Sequence, residues 1–225
     1  QSALADATRD FFSSKTSSDK TRSAFLAPKG FDEDLFSSMC DDLGLAALIV
    51  SERDGGLGAS DVELAVVLEQ HGYFLAASPF RTHISSIIAV QECADEENRK
   101  SHLEKLATGE SLAAAIFGDE DHSIVVDSNE GEYRVSGRFA RIPFGATLQN
   151  LYFPIEIDGV VKLAHLEIDQ DSVSALPTPS IDQTQPLGAI ECENSIVSII
   201  SGEVSDSFSR PRSRAIFAPC IEMFG

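Results

Sequence analysis

The 225-residue sequence is short of positive charge: seventeen Lys and Arg stand against thirty-six Asp and Glu, for a formal net charge of −19. That balance opposes broad docking on nucleic acid or on an anionic membrane, so an anionic ligand would need a local basic pocket. The acids are dispersed, and the densest clusters, "ADEEN" and "GDEDH", read as solvated turns rather than an acidic tail. Apolar runs approaching the roughly 20 residues of a membrane span are missing. The N-terminal "QSALADATRDFF" carries acids where a secretory signal would carry basic residues and then an apolar block. An intracellular, cytoplasmic protein with no nucleic-acid or membrane partner is expected. Cysteine is scarce too. Cys40, Cys93, Cys192 and Cys220 lie far apart without a CxxC pair, which argues against a structural zinc site or a disulfide framework and for buried free thiols. His71, His83, His102, His122 and His165 show no metal-ligand spacing and read as surface or helix-end residues. No metal site is expected, and there are no internal repeats or low-complexity tracts.

What is present suffices for a packed core, with 43% hydrophobic residues. The first ~110 residues read as amphipathic helices. Leu4, Ala7, Phe11 and Phe12 share one face, as do Phe31, Leu35, Met39 and Leu43. Ser60 with Glu63 three residues on forms a capping box for a helix that should stop near Gly72. "FRTHISSIIAVQECA" and "EENRKSHLEKLATGE" give two more, the second ending at Gly109. From Ser111 the pattern changes to short β-branched and aromatic runs separated by Gly, Asp, Asn or Pro, with Asp158-Gly159 as a hairpin turn. The expected class is α+β: an N-terminal all-α helical domain (1–110), then a small β-barrel domain (111–203). Residues 204–225 are the linker and first turns of a C-terminal helical domain, helical after Pro211.

Between a short apolar run and the Ser60 helix lies Ser51-Glu52-Arg53-Asp54-Gly55-Gly56-Leu57-Gly58. It lacks the GxGxxG spacing of a dinucleotide loop and the Lys-Ser/Thr of a P-loop. A connector whose glycines permit positive φ is the plain alternative. Glu52 and Asp54 read as solvated or capping acids at that turn.

These pieces together resemble the acyl-CoA dehydrogenase family, whose first domain reads "LG…PEEYGGLG…EELG…SPF" and then "LPxLASGE". Their counterparts run in order: Leu43-Gly44-Leu45, Ser51 to Gly58, Glu69-Gln70-His71-Gly72, Ser78-Pro79-Phe80 and Leu103 to Glu110. "YRVSGRFARIPFGA" is similar to the family's "YxLNGxKxWITNGxxAD", and "IDQTQPLGAIECEN" to its "DxTRxLAxVxF". The resemblance spans essentially the whole chain. It implies α,β-desaturation of an acyl-CoA thioester: a carboxylate base takes the α-proton, the β-hydride passes to FAD, and electrons leave through an electron-transfer flavoprotein. Donors must then face the thioester oxygen where enolate charge builds. The resemblance puts the base and much of the acyl-CoA tunnel in a C-terminal helical domain, so this chain offers no candidate for the catalytic base and is expected to be inactive alone.

The flavin contacts implied by the resemblance are altered here. The family's "TEPxxGSD" falls on Phe117, Gly118, Asp119, Glu120, Asp121, His122, Ser123 and Ile124, where Ser123 is retained and Phe117 takes the Thr position. Its flavin-flanking Trp-x-Thr falls on Arg141-Ile142-Pro143, and proline brings neither hydroxyl nor N–H. The candidate cofactor-binding residues are therefore Phe117, Gly118, Ser123, Arg141 and Pro143. Arg141 would meet a flavin edge, a phosphate or a partner carboxylate, or simply stand exposed on a strand. Arg210, Arg212 and Arg214 would reach a CoA or FAD phosphate or form interdomain salt bridges. Tyr152 and Phe153 read as strand core. "SGRFARIPFGA" resembles the "SGxxxxVPGAxxA" of short members from actinobacterial sterol and cholate side-chain degradation, which work as unlike pairs. The expectation is an FAD-dependent acyl-CoA dehydrogenase subunit in a homo- or hetero-oligomer with another acyl-CoA dehydrogenase chain. The alternatives are a non-catalytic partner subunit and an acyl-CoA or lipid-binding module without redox activity.

Overall fold

The computed structural model describes residues 2–118, 122–129, 131–204 and 209–223, apart from the side chains at 129, 209, 216–220 and 222. Six helices come first: α1 (Ser2–Lys15), α2 (Ser18–Phe25), α3 (Glu33–Asp41), α4 (Asp61–Tyr73), α5 (Phe80–Cys93) and α6 (Glu96–Ala107). Side chains at their starts satisfy backbone N–H groups that have no partner inside the helix. Asp32 accepts from Leu35 N, Asp95 accepts from Asn98 N, and Ser60 with Glu63 forms the full capping box. α2, bounded by its Ser17 cap, is an element that the periodicity did not single out. α5 is buried on nearly every side, from Phe80 and Ile84 to Ile87, Ile88 and Val90, as a helix at the centre of a domain must be. No helix among the described residues is long and apolar enough to cross a membrane.

Seven strands follow: β1 (Ala113–Ala115), β2 (His122–Asn129), β3 (Glu132–Pro143), β4 (Asn150–Ile157), β5 (Val160–Glu167), β6 (Val173–Thr178) and β7 (Leu187–Ile199). They form one sheet in the order β1-β4-β5-β7-β3-β2, with β6 also on β7. The expected barrel takes the form of a curled half-barrel. β7 organises it: β3 lies along one edge, while the other edge pairs with β6 through Leu187–Cys192 and with β5 at Ser198 and Ile199. Asp158 and Gly159 both take positive φ (52° and 75°), the geometry of a tight β4–β5 hairpin. A last helix, α7 (Ser209–Glu222), packs against α4 and α5. It holds Pro211 in its first turn, where the missing N–H costs nothing.

Two apolar cores meet at the junction. The helical core around Phe12, Met39, Leu68, Phe80 and Ile87 extends to Ala113, Tyr152, Leu163 and Ile200 of the β-region. The second core takes Phe31, Phe36 and Ala46 from the helices into the curled sheet. Burying each of these large side chains contributes about 1.5–3 kcal/mol. Polar links cross the same junction: Ala115 N donates to Ser85 Oγ (3.0 Å) and Asp95 N to Ile200 O (3.0 Å). Helices and sheet therefore form a continuous frame on which loop-borne groups can be held.

Cys40, Cys93 and Cys192 are buried free thiols, and burial pushes their pKa values up to about 12, 12 and 11. The side chain of Cys220 lies outside the described residues. The surface reading of the histidines is corrected at three positions, since His71, His83 and His165 are buried. Each has a polar neighbour that offsets the cost of burial: Ser78 Oγ at 2.8 Å, Leu106 O at 2.8 Å and Asn150 Oδ1 at 2.6 Å from Nε2.

Candidate functional site

β3 carries an irregularity where the chemistry is expected. Phe139 faces Ile190 and Ile142 faces Gly188, so three steps on β3 answer two on β7. This is a β-bulge, a device that bends a strand and re-aims a side chain. Arg141 sits at its centre with φ of 53°, and Phe144, just beyond the strand, has φ of 57°. For residues with a Cβ each such conformation costs roughly 1–2 kcal/mol. The surroundings hold the strain in place. Phe144 is buried edge-on to Phe31, its N–H bonds Pro186 O at 2.7 Å, and a Cβ on Gly188 would come within 2.3 Å of Ala146 N. Ile142-Pro143 is thus a rigid ledge between two left-handed residues, with Arg141 exposed at its start.

That ledge lines a cleft of about 450 Å³. Its floor is Ala114, Ala115 and Ile116, continuing to Phe117. Arg81, Thr82 and Ser85 of α5, His122 of β2 and Ala215 of α7 close the sides. Three candidate cofactor residues from distant parts of the sequence, Phe117, Arg141 and Pro143, come together here. Gly118 lies just outside the wall, where a Cβ would be 3.8 Å from Arg212 Nη2. Ser123 is exposed on β2 opposite Arg138 and does not line the cleft. The residues 119–121 of the same segment lie outside the described residues. The described lining holds two guanidiniums, Arg81 and Arg141, and no carboxylate. His122 is the one imidazole among these described lining residues.

Arg81 and Thr82 also belong to a neighbouring cleft of about 680 Å³, which runs past Leu75, Ala76, Ser78 and Phe144 to Asp182, Thr184 and Gln185. Arg81 donates to Gln185 across it. The two clefts share the first turn of α5.

The glycine-rich turn lines neither cleft. Asp54 is not a solvated acid: its side chain is 7% exposed, 3.4 Å from the Arg99 guanidinium of α6, and accepts from Ser51 Oγ at 2.8 Å. Ser51 N donates to Gln91 of α5 at 3.0 Å. Gly55 and Gly58 take positive φ, and a Cβ on Gly56 would meet Val50 O at 2.2 Å. The turn is a structural knot joining α5 and α6, in keeping with a connector.

The arginine trio divides. Arg214 bonds Asp61 and Glu92, Arg210 lies 3.7 Å from Glu92, and Arg212 Nη2 lies 3.8 Å from where a Cβ on Gly118 would stand. A cluster that the sequence did not disclose lies between α6 and the sheet. Tyr152 and His165, paired across β4 and β5, stack at 4.9 Å, and His102 stands edge-on to both with Nδ1 2.9 Å from Tyr152 Oη. Burial, the neighbouring His102 and Lys105 lower the His165 pKa to about 3, and burial first, then Lys105, lowers that of His102. Tyr152 is core, as its strand pattern implies. Nothing in sequence spacing links 102 to 152 and 165.

Comparison with solved proteins gives this architecture a class. The ChsE4–ChsE5 complex from Mycobacterium tuberculosis superposes with a TM-score of 0.87 over 98% of this chain and 61% of that one, at 15% identity. The Tcur3481–Tcur3483 steroid ACAD gives 0.85 over 98% and 61%, at 18% identity. The fold is that of the helical and β-domains of an acyl-CoA dehydrogenase. Residues 1–110 match the family model described as acyl-CoA dehydrogenase, N-terminal domain. That match covers just under half of the chain and agrees with the resemblance its motifs carry. A curated relative, acyl-CoA dehydrogenase IpdE2 of Mycolicibacterium smegmatis, is 26% identical over 174 residues, covering 77% of this chain and 46% of that protein. The chain thus spans about half the length of the relative it matches.

Proposed function

We propose that the protein is the helical and β-domain part of an FAD-dependent acyl-CoA dehydrogenase that desaturates an acyl-CoA thioester between its α and β carbons. A sterol or cholate side-chain CoA ester is the favoured substrate class. The carrying observation is the convergence of Phe117, Arg141 and Pro143 on one cleft. The Tcur3481–Tcur3483 steroid ACAD, similar in fold, supports the substrate class, and the IpdE2 relative supports the dehydrogenase reaction. The pairing of ChsE4 with ChsE5 in one complex supports a working form that includes another acyl-CoA dehydrogenase chain.

The residues present fit the cofactor as a binding surface. Phe117, Ile142 and Pro143 present flat apolar contact for an aromatic ring system, and Arg81 and Arg141 offer guanidiniums to negative charge. When bound, FAD supplies the hydride acceptor, and an electron-transfer flavoprotein removes the electrons. Phe117 and Ile142 exclude water from the reacting face. Arg141, held by the bulge, steadies charge at its edge. Proline at 143 contributes shape without a donor. No carboxylate is among the described residues of the wall, in keeping with a carboxylate base outside it.

That same deficit favours a second reading, a non-catalytic partner subunit that stabilises an active chain. Copurification with a neighbouring dehydrogenase chain, followed by a visible spectrum, separates the two. A flavin spectrum that bleaches with a steroid acyl-CoA, and that weakens when Arg141 is changed to Ala, supports the enzyme. Bleaching indifferent to Arg141→Ala and Phe117→Ala supports the partner role. A complex devoid of flavin that still retains acyl-CoA leaves a lipid-binding module and overturns the redox reading.

A further inference from the structure

The Arg214 side chain is only 18% exposed, yet it reaches two helices. Its Nε lies 3.0 and 3.1 Å from the two carboxylate oxygens of Asp61 at the start of α4, and Nη1 bonds Glu92 near the end of α5. Glu92 is itself 14% exposed and has Arg210 at 3.7 Å. Burial works against the charge on Arg214, and its hydrogen bonds to Asp61 and Glu92 more than offset that, so its pKa is raised. Breaking such a pair would strand charges that have lost much of their water. The planar guanidinium holds its donors in a fixed fork toward both carboxylates, a geometry that lysine's flexible ammonium does not fix.

The clamp lies one residue from the cleft. Ala215, next in sequence, is part of the cleft wall, and Arg212, half a turn earlier, comes close to Gly118, the neighbour of the wall residue Phe117. We propose that Arg214 is a positioning residue: its grip on Asp61 and Glu92 docks α7 across α4 and α5, sets the third wall of the cleft, and delivers Arg212 to bind a phosphate group of the ligand. The sequence allowed the three arginines of "SRPRSR" either role. The structure gives Arg210 and Arg214 the structural one and leaves Arg212 exposed beside Gly118. The ligand part of the proposal rests on the flavin reading above; the docking part does not.

The test uses the full chain, alone and with a partner dehydrogenase chain, and three variants: Arg214→Met, Arg214→Lys and Arg212→Gln. Amide hydrogen exchange over 209–223 reads docking, and FAD and ADP titrations read the cleft. Arg214→Met should speed exchange in α7 by about tenfold or more while α5 stays protected, with Arg214→Lys in between. The same Met variant should weaken FAD by about tenfold. Arg212→Gln should leave exchange unchanged, weaken FAD and ADP several-fold, and flatten the salt dependence of binding. Unchanged exchange in Arg214→Met overturns the clamp, and lost docking with undiminished FAD affinity overturns its role in setting the cleft wall. ADP binding indifferent to Arg212→Gln overturns the phosphate contact. If the wild-type chain takes up no FAD in either setting, the proposed function falls, and the exchange readout still decides whether Arg214 docks α7.

Discussion

Mild acid should unfold this protein through its histidines before its carboxylates titrate. His83 is fully buried in α5, with Nε2 2.8 Å from Leu106 O at the end of α6 and the Phe36 ring edge-on at 5.8 Å. A carbonyl can only accept, so Nε2 carries the proton, and Nδ1 is left without a hydrogen-bond partner among the described residues. A second proton would have to enter at Nδ1, in an apolar site. Burial accordingly lowers the His83 pKa from 6.5 to about 4. The unfolded chain binds that proton near 6.5 and the folded chain does not, so stability falls with decreasing pH through this window. The slope is about 1.4 kcal/mol per pH unit for each such group. His83 thus costs about 2 kcal/mol by about pH 5, and about 3 kcal/mol by its folded pKa. His165, lowered to about 3, adds a similar amount at about pH 5. Glu63 and Asp95, whose pKa values are lowered from 4.5 and 3.8, lose their contributions only in stronger acid. Urea unfolding at about pH 7 and about pH 5 should show a wild-type loss of about 4 kcal/mol, and about half that in His83→Gln, whose amide can still donate to Leu106 O. Equal losses in the two proteins would refute the assignment of His83 as a neutral buried base.

The signature turn makes its own predictions. Asp54→Ala strands the Arg99 guanidinium and should cost about 3 kcal/mol in urea unfolding, with flavin uptake by the folded fraction unaltered. Gly55→Ala meets no neighbour and should cost only about 1–2 kcal/mol for its positive φ, whereas Gly56→Ala drives a methyl into Val50 O and should abolish soluble expression. Comparable yields for the two would refute the packing argument. Tyr152→Phe removes the hydroxyl on His102 Nδ1 and should lower the thermal midpoint by a few degrees, about 1 kcal/mol; an unchanged midpoint would mean that this bond contributes nothing.

Elements whose causes are local were legible. Ser60 and Glu63 announce α4 because both halves of the cap lie within one turn, and Asp158-Gly159 announces the hairpin because both residues must turn left-handed. Strand lengths were less legible. β3 reaches Pro143 and β7 begins at Leu187 because these parts of the two strands pair with each other through Phe139–Ile190 and Pro143–Leu187. Cross-strand partners about fifty residues apart leave no trace in a local window. Of the two readings of Asp54, solvated or capping, the second holds, since it exchanges hydrogen bonds with the N-cap Ser51; its ion pair with Arg99, on another helix, is what a local window could not show.

The site divides along the same line. Motif register brought Phe117, Arg141 and Pro143 into consideration, and all three line one cleft; Ser123, retained in identity, points elsewhere. Identity at a motif position is therefore a weaker guide here than backbone geometry. What the sequence could not display is that Arg141 and Phe144 adopt left-handed conformations, since neither residue type favours them. That strain depends on a glycine forty-odd residues away, Gly188, and on Phe31 from the helical domain. The same surroundings give the proposed function its mechanical content. A ledge locked by two distant contacts cannot relax to suit its ligand, so the ligand must arrive with flat apolar faces and anionic groups that match it.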